Sequence, residues 1–388
     1  MVNYTMHRSI NDSKTIYTDS GIPIPWLEKD VDNYLDKTTL IFGGSGSGKT
    51  TIIEEILYLC KSYIPNYIVI VPKTSDKVYR KKLPARCIKD DITKKQLQKI
   101  WDRQFNFAQL YNVANDPANL ESLFNKIYDR PSIVMVKAIT QRANDLISNI
   151  ENNHALDFGQ KNSQKSAIED LRNKKLKTLY KKTIRNYRHI LEKKDLNEKE
   201  RVTLDYMDTN PRLMVIMDDC SDKFESWMKM FKKTETNPLE SIFYRGRWNF
   251  ITMVIVAHDD KIMDTKLRKN ARTTIYATSQ SLVASLNKSQ SGYTTYEKKR
   301  AMEMATKIFA DEGGQIKTFT KLCYIREDTQ PFRYTIASLY PEFTLGCIPL
   351  HELMVKMPKT EDSISDNPLL KGYSNNDWPK KDKKIRRT

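Results

Sequence analysis

The sequence predicts an α/β fold in which a mainly parallel β-sheet is flanked on both faces by helices. Short, almost wholly apolar runs alternate with stretches of helical character, and parallel strands covered on both faces have this composition. The first apolar run leads directly into a glycine-rich loop, and a helical stretch follows the loop. The runs predicted as strands are 38–42, 66–74, 131–140, 212–220, 249–258 and 272–279.

The glycine-rich loop lies in the segment IFGGSGSGKTT at residues 41–51. The chain has 12 glycines in 388 residues, and four of them fall within six consecutive positions of this loop. Glycine allows positive φ, so successive backbone N–H groups can converge on one anion. Gly43, four further residues, and then Gly48, Lys49 and Thr50 match the phosphate-binding loop pattern. Since a strand precedes it and a helix follows it, the segment predicts a nucleoside triphosphate site rather than a flexible surface loop.

The residues of this loop have distinct expected roles. Lys49 would reach the β- and γ-phosphates, and the Thr50 hydroxyl would ligate Mg²⁺. ATP and Mg²⁺ are therefore the expected cofactors. The residues expected to contact the nucleotide are Gly43, Gly44, Ser45, Gly46, Ser47, Gly48, Lys49, Thr50 and Thr51.

Two aspartates end the apolar run LMVIMDDC. Asp218 is expected to hold Mg²⁺ at the end of the strand, and Asp219 to polarise the attacking water as a general base. The alternative is an acidic pair that merely ends a strand, but the phosphate-binding loop favours the functional interpretation. At least one predicted strand, 66–74, separates the loop from this acidic strand along the chain.

The next apolar run, ITMVIVAHDD, ends in His258. A polar side chain at the carboxyl end of a neighbouring strand can contact the γ-phosphate, because ligands of α/β sheets bind at that edge. We therefore expect His258 to act as a sensor, the alternative being a purely structural histidine.

The composition indicates the kind of partner. A net charge of +17 and a pI near 9.4 favour a polyanion, although an ordinary basic protein has the same composition. The five cysteines form no CxxC pair, which indicates neither a disulfide framework nor a zinc site and favours a reducing compartment. No signal peptide and no apolar run of about 18 residues is present, so membrane insertion is not expected.

One stretch interrupts the alternation of strands and helices. Residues 160–205 are highly charged and predict one or two amphipathic helices, which form either a nucleic-acid or partner-binding arm or a solvated insertion. The basic tail PKKDKKIRRT is expected to be flexible. The predicted organisation is an N-terminal extension (1–37), a first core part (38–140), a charged helical insertion (141–205), a second core part (206–350) and a basic tail (351–388).

Three segments resemble one protein family. SIFYRGRWNFITMVIVAHDD resembles the segment of FtsK–HerA superfamily ATPases in which a helix ends in arginines and the sensor strand follows. LRKNARTTIYATSQS resembles the segment of that superfamily in which an asparagine and a nearby arginine precede the next strand. YIVIVPKTSDKVYRKKLP resembles the second-strand region of poxvirus-type genome-packaging ATPases of large DNA viruses. The resemblance covers much of 38–75 and 212–282. His258 replaces the usual glutamine of the superfamily, and Asp219 replaces the glutamate common in its cellular members.

The resemblance implies a RecA-like core, a homo-oligomeric ring and ATP-driven translocation of double-stranded DNA into a capsid. It further implies capsid or portal-vertex partners and a location in the virion and the host-cell cytoplasm. Arg245, Arg247 and Arg272 are its candidates for an arginine finger that reaches the neighbouring subunit. We expect the Arg245–Arg247 turn to lie near the carboxyl ends of the strands.

Two other functions are compatible with a phosphate-binding loop. The first is a nucleotide or small-molecule kinase, which should carry an arginine-bearing lid and a pocket for a second substrate. The second is a non-motor assembly protein that ATP switches between states. Stimulation of ATP hydrolysis by DNA separates the motor from both.

Overall fold

The computed structural model describes residues 15–231, 235–258, 263, 265–288, 292–309 and 319–347, without the side chains of residues 265 and 266. The chain divides into two compact units, Met1–Gly346 and Cys347–Thr388. All helices and strands of the described residues belong to the first unit. The predicted basic tail and residues 1–14 of the predicted N-terminal extension lie outside the described residues.

An eight-stranded sheet forms the centre of the fold, with the order β10–β9–β8–β3–β7–β6–β4–β5. The six strands from β8 to β5 are parallel, whereas β9 is antiparallel to both β8 and β10. A separate two-stranded antiparallel ribbon joins β1 and β2. The strands are β1 Ile16–Tyr17, β2 Pro23–Ile24, β3 Thr38–Phe42, β4 Asn66–Ile70, β5 Ile88–Lys89, β6 Leu213–Asp218, β7 Ile251–Ala257, β8 Thr273–Tyr276, β9 Thr320–Ile325 and β10 Phe332–Ile336.

Twelve α-helices occur in the described residues. They are α1 Lys49–Cys60, α2 Lys77–Arg80, α3 Lys94–Ala114, α4 Pro117–Asn125, α5 Arg130–Glu151, α6 Phe158–Asn186, α7 Glu198–Tyr206, α8 Ser221–Lys229, α9 Pro238–Arg245, α10 Thr265–Asn270, α11 Ser279–Leu286 and α12 Thr295–Phe309.

The central strands are apolar because both faces of the sheet are covered. Leu40 and Phe42 of β3 pack into one hydrophobic core, and Ile41 between them packs into another. Alternate residues of a strand point to opposite faces, so each central strand contributes to both cores. Helices α8, α9, α11 and α12 cover the first core, and α1 covers the second. The predicted fold class is confirmed in its architecture: the sheet is mainly parallel and helices flank both of its faces.

One predicted strand is wrong. Residues 131–140 lie within α5, where the Asp129 side chain accepts a hydrogen bond from the backbone N–H of Ser132 and Pro131 occupies the first turn. This capping, together with proline in the first turn, begins a helix. The run PSIVMVKAIT is rich in β-branched residues, but Val134 and Met135 are exposed, so it is not a buried strand.

Helices occupy the whole segment between β5 and β6. They begin at Lys94, well before residue 141 at which the sequence placed the insertion. Helices α4, α6 and α7 share a hydrophobic core of their own, which includes Phe124, Tyr180 and Ile184. The helices predicted in the charged stretch are confirmed as α6 and α7.

The strand order places the site. β7 lies between β3 and β6, so the residues that follow these three strands meet at one edge of the sheet. The first residue of β9 comes to the same edge, because β9 runs antiparallel to β8. We refer to this edge, where the six parallel strands end, as the carboxyl edge.

Candidate nucleotide-binding site

The loop from Gly43 to Gly48 joins the carboxyl edge of β3 to the first turn of α1. Gly46 and Gly48 have φ angles of 72° and 76°, in the left-handed region that glycine adopts readily. A Cβ atom at Gly43 would lie 2.6 Å from Ser47 Oγ and 2.7 Å from Ala277 Cβ. Three of the four glycines are therefore required by backbone conformation or by close approach.

The loop is closed around the side chain of Lys49. The Lys49 ammonium donates hydrogen bonds to the carbonyl oxygens of Gly43 at 2.6 Å and Gly44 at 2.7 Å. The Ser47 hydroxyl donates to the Gly44 carbonyl at 2.8 Å. Burial lowers the pKa of Lys49, while the nearby Asp218 and Asp219 oppose that shift. A partly desolvated cation thus lies at the N-terminus of α1, where the helix dipole also favours an anion.

A cleft of about 460 Å³ opens over this loop. Its size is within the usual range of ligand pockets. The residues that line it are Ser45, Gly46, Ser47, Gly48, Lys49, Thr50, Thr51, Ser75, Val78, Asp218, Asp219, His258 and Phe319. The cleft therefore brings together the predicted loop, the predicted acidic pair and the predicted sensor.

Asp218 is the last residue of β6, and its carboxylate is fixed by a tyrosine. The Tyr79 hydroxyl donates to Asp218 Oδ2 at 2.9 Å, and Tyr79 itself is buried. Burial raises the pKa of the Asp218 carboxyl, and the Tyr79 hydrogen bond opposes this shift. A bound cation would favour the ionised carboxylate in this partly desolvated position.

Asp219 follows with a left-handed backbone, at φ 55°. This conformation is uncommon outside glycine and occurs often at functional turns. Asp219 Oδ1 lies 3.1 Å from His258 Nε2, and Oδ2 accepts a hydrogen bond from the Ser75 hydroxyl at 3.4 Å. The predicted base and the predicted sensor are thus in direct contact, with the acidic strand and β7 side by side.

The residues of the cleft fit a nucleoside triphosphate with Mg²⁺. The loop supplies backbone N–H groups at a helix N-terminus together with the Lys49 ammonium, which suits phosphate oxygens. The Thr50 hydroxyl and the Asp218 carboxylate line the same cleft and are oxygen ligands of the kind that Mg²⁺ prefers.

The candidate arginine fingers lie elsewhere. Arg245 ends α9 and Arg247 lies in the short 3₁₀ helix Gly246–Asn249, directly before the first residue of β7. They therefore lie at the edge where the parallel strands begin, which we call the amino edge. The expectation that they lie at the carboxyl edge is wrong. The physical reason is chain direction: residues before a strand reach the opposite edge from residues after it. The seven residues of β7 separate the two edges by about 20 Å.

Arg272 also lies at the amino edge, where it is bound within its own subunit. Its guanidinium donates to the Arg326 carbonyl and forms an ion pair with Glu327 at 3.0 Å. Arg247 instead stacks on the exposed ring of Trp248, with 4.3 Å between its guanidinium carbon and the ring centroid.

Three polar residues of the site were not predicted. Ser75 and Tyr79 follow β4 at the carboxyl edge and bind the two aspartates. Lys321 of β9 is fully buried, and its ammonium donates to the Ser47 carbonyl of the loop at 3.0 Å. A lysine within the otherwise apolar run TKLCYI was the available sequence signal, because buried lysines require polar partners.

No family model matches the sequence. Uncharacterized protein B354L of African swine fever virus is 28% identical over 347 residues, which cover 85% of this chain and 90% of that protein.

Solved structures of two proteins match most of the chain. The genome packaging NTPase B204 from Sulfolobus turreted icosahedral virus 2 in complex with AMP covers 81% of this chain with all of its own, at 9% identity and a TM-score of 0.38. The plasmid coupling protein TrwB in complex with a GTP analogue matches 84% of this chain with 90% of its own, at 11% identity and a TM-score of 0.34.

No helix among the described residues is both long and apolar enough to span a membrane.

Because Lys321 is buried, we expect the free energy of unfolding of the protein to depend on pH. Burial lowers the pKa of Lys321 to about 8 from the ordinary value of 10.5. Between these values the unfolded chain binds more protons than the folded protein, so the free energy of unfolding rises with pH. We expect wild type to gain about 1–2 kcal/mol relative to Lys321→Met between about pH 7 and pH 10. Urea unfolding of both proteins across this range measures the difference, and parallel pH profiles would contradict the assignment.

Proposed function

We propose that the protein is an ATP-hydrolysing motor that translocates viral double-stranded DNA into a capsid. The observation that carries this proposal is one cleft that joins the Lys49 loop to Asp218, Asp219 and His258. The sheet order supports it, because β7 carries His258 between the loop strand and the acidic strand. A kinase needs a second substrate pocket, whereas in this proposal the acidic pair and the histidine, which line the same cleft as the loop, act on the terminal phosphate.

The loop and Lys49 would hold the β- and γ-phosphates, with Thr50 and Asp218 as the Mg²⁺ ligands. Lys49 now donates to the Gly43 and Gly44 carbonyls, so phosphate oxygens would take the place of these acceptors. Mg²⁺, when bound, would neutralise charge on the phosphates. Tyr79 keeps the Asp218 carboxylate in one orientation through its hydrogen bond.

Asp219 and His258 would act on the attacking water. Asp219 is positioned by Ser75 and contacts His258, so one carboxylate oxygen can accept the proton of a water molecule while the pair stays fixed. Depending on its tautomer, His258 would either donate a hydrogen bond to the γ-phosphate or accept one from the attacking water. The pair therefore links nucleophile activation to recognition of the terminal phosphate.

Double-stranded DNA is the partner that the charge distribution supports best. Helix α6 has 29 residues and is about 44 Å long, and it packs against α5. It carries only two acidic residues, Glu169 and Asp170, against nine basic ones. The basic residues are Lys161, Lys165, Arg172, Lys174, Lys175, Lys177, Lys181, Lys182 and Arg185. Such a helix can contact the phosphate backbone without reading sequence, as a packaging motor requires.

A homo-oligomeric ring and an arginine finger complete the proposal. The separation of about 20 Å along β7 prevents Arg245 and Arg247 from reaching the phosphates of their own subunit. A finger that acts on a neighbour has to lie on a different surface from its own cleft, and Arg247 does. Arg272 is the weaker candidate, since Glu327 already binds it. Such a ring would act at the viral assembly site in the host-cell cytoplasm, contact capsid or portal-vertex proteins, and remain with the virion.

The proposed function is tested by measuring ATP hydrolysis by wild type and by Lys49→Ala, with and without DNA. Wild type should hydrolyse ATP, and double-stranded DNA should increase the rate, because translocation couples the two. Lys49→Ala should lower the rate by at least about 100-fold, since it removes a cation that stabilises the transition state. Phosphate release with and without DNA measures both effects, and circular dichroism of the variant checks its folding. Hydrolysis that DNA leaves unchanged would contradict the motor, and an active Lys49→Ala variant would contradict the site.

The α6 surface is tested by a pair of matched double variants. Lys175 and Lys182 are exposed on α6, and Lys95 and Lys99 are exposed on α3. Lys175→Gln/Lys182→Gln should weaken DNA binding and reduce the slope of log affinity against log salt by about 2, because two phosphate contacts are lost. Lys95→Gln/Lys99→Gln, which removes the same charge, should change the slope less. Equal slopes for the two variants would assign the effect to net charge alone.

The finger is tested by mixing two inactive variants. Arg247→Ala and Lys49→Ala should each be inactive, but mixed rings should regain activity where an intact Lys49 site meets an intact Arg247 of the neighbour. Fingers of this kind contribute about 10³–10⁵ in rate, so partial recovery is measurable. Mixed oligomers are verified by pull-down with two different tags. If they form and stay inactive at every ratio, Arg247 does not act between subunits.

A further inference from the structure

The cleft extends beyond the phosphate-binding loop to a phenylalanine. Phe319 lines the cleft with 44% of its surface exposed, although it is a large apolar side chain. Among the described residues that line this cleft, it is the only phenyl, phenol or indole side chain. Neither phosphate binding nor water activation uses such a group.

The strand order gives the cleft a direction. β7 and β6, which carry His258, Asp218 and Asp219, lie on one side of the loop strand β3. β8 and β9 lie on its other side, and Phe319 directly precedes β9. If the terminal phosphate meets the acidic pair, the sugar and base have to extend away from it, over β8 and β9. Each neighbouring strand adds about 4.8 Å, so Phe319 lies about 10 Å from β3 along the sheet, on the side opposite to the acidic pair.

Phe319 is fixed relative to the loop by its neighbours. Its carbonyl accepts a hydrogen bond from the backbone N–H of Ala337 at 2.8 Å. Two residues along the chain, buried Lys321 donates to the Ser47 carbonyl of the loop. The exposed ring is therefore carried by backbone that is tied both to the sheet and to the phosphate-binding loop.

We propose that Phe319 is the stacking platform for the nucleobase of the bound nucleotide, an inference that rests on the proposed function. An aromatic ring stacks on the π-face of a base, and every base presents such a face. Phe319 has no hydrogen-bonding group in its side chain, so it contributes affinity without selecting the base. Adenine and guanine nucleotides should therefore depend on it alike, and a ligand without a base should not depend on it.

The experiment compares ATP, GTP and inorganic tripolyphosphate as ligands. Phe319→Ala should weaken the binding of ATP and of GTP by about tenfold or more, and should leave the affinity for tripolyphosphate unchanged. Phe319→Trp should retain nucleotide binding, since indole also stacks. Phe105 on α3 is exposed to a similar extent, at 43%, and does not line the cleft, so Phe105→Ala is the matched control. Calorimetric titration in Mg²⁺ measures each affinity, with non-hydrolysable analogues in place of ATP and GTP.

The outcomes separate this inference from the proposed function. Unchanged ATP and GTP affinity in Phe319→Ala would overturn the stacking role and leave the function standing. Equal losses for tripolyphosphate and ATP would also overturn it, because the substitution would then act through the loop. Wild type that binds none of the three ligands would overturn the proposed function, and the base site with it.

Discussion

Contacts with β7, β8 and β9 stabilise the conformation of the phosphate-binding loop. Its first residue, Gly43, donates its N–H to the carbonyl of Ala257 at the end of β7, at 3.2 Å. The same glycine packs against Ala277 after β8 so closely that no Cβ fits between them. From β9, the Lys321 ammonium binds the Ser47 carbonyl. The order of the strands in the sheet therefore determines the conformation of the loop. It also determines which side chains line the cleft beside the loop.

The chemistry follows from which strands end beside the loop. Because β7 and then β6 adjoin β3, the carboxylates of Asp218 and Asp219 approach the loop from one side only. Tyr79 and Ser75 then fix these carboxylates by single hydrogen bonds. In the proposed function, the phosphates of the nucleotide lie on the side of β6 and β7, and the base lies on the side of β9. The carboxylates of Asp218 and Asp219, the Ser75 hydroxyl and His258 line the cleft on the phosphate side, where water would attack in line.

The sequence predicted the parts of the site that depend on local chemistry. The loop and the acidic pair each consist of neighbouring residues in the chain. Both motifs can therefore be recognised from the sequence without knowing which distant residues they contact. Lys321 and Tyr79 were missed because their roles depend on pairing between strands far apart in the chain. The apolar composition of 131–140 predicts a strand, whereas the Asp129 cap and one-sided burial favour a helix. Arg247 is expected at the carboxyl edge in the sequence analysis, but it precedes β7 and therefore lies at the amino edge.

The proposed function requires that a nucleoside triphosphate binds in one direction across this cleft. A crystal structure with Mg²⁺ and a non-hydrolysable ATP analogue tests it most directly. We expect that Lys49 leaves the Gly43 and Gly44 carbonyls for phosphate oxygens, that Thr50 and Asp218 face the metal, and that the γ-phosphate lies beside Asp219 and His258. A nucleotide bound elsewhere, or one whose γ-phosphate points toward β9 while Lys49 still binds the loop, would contradict it.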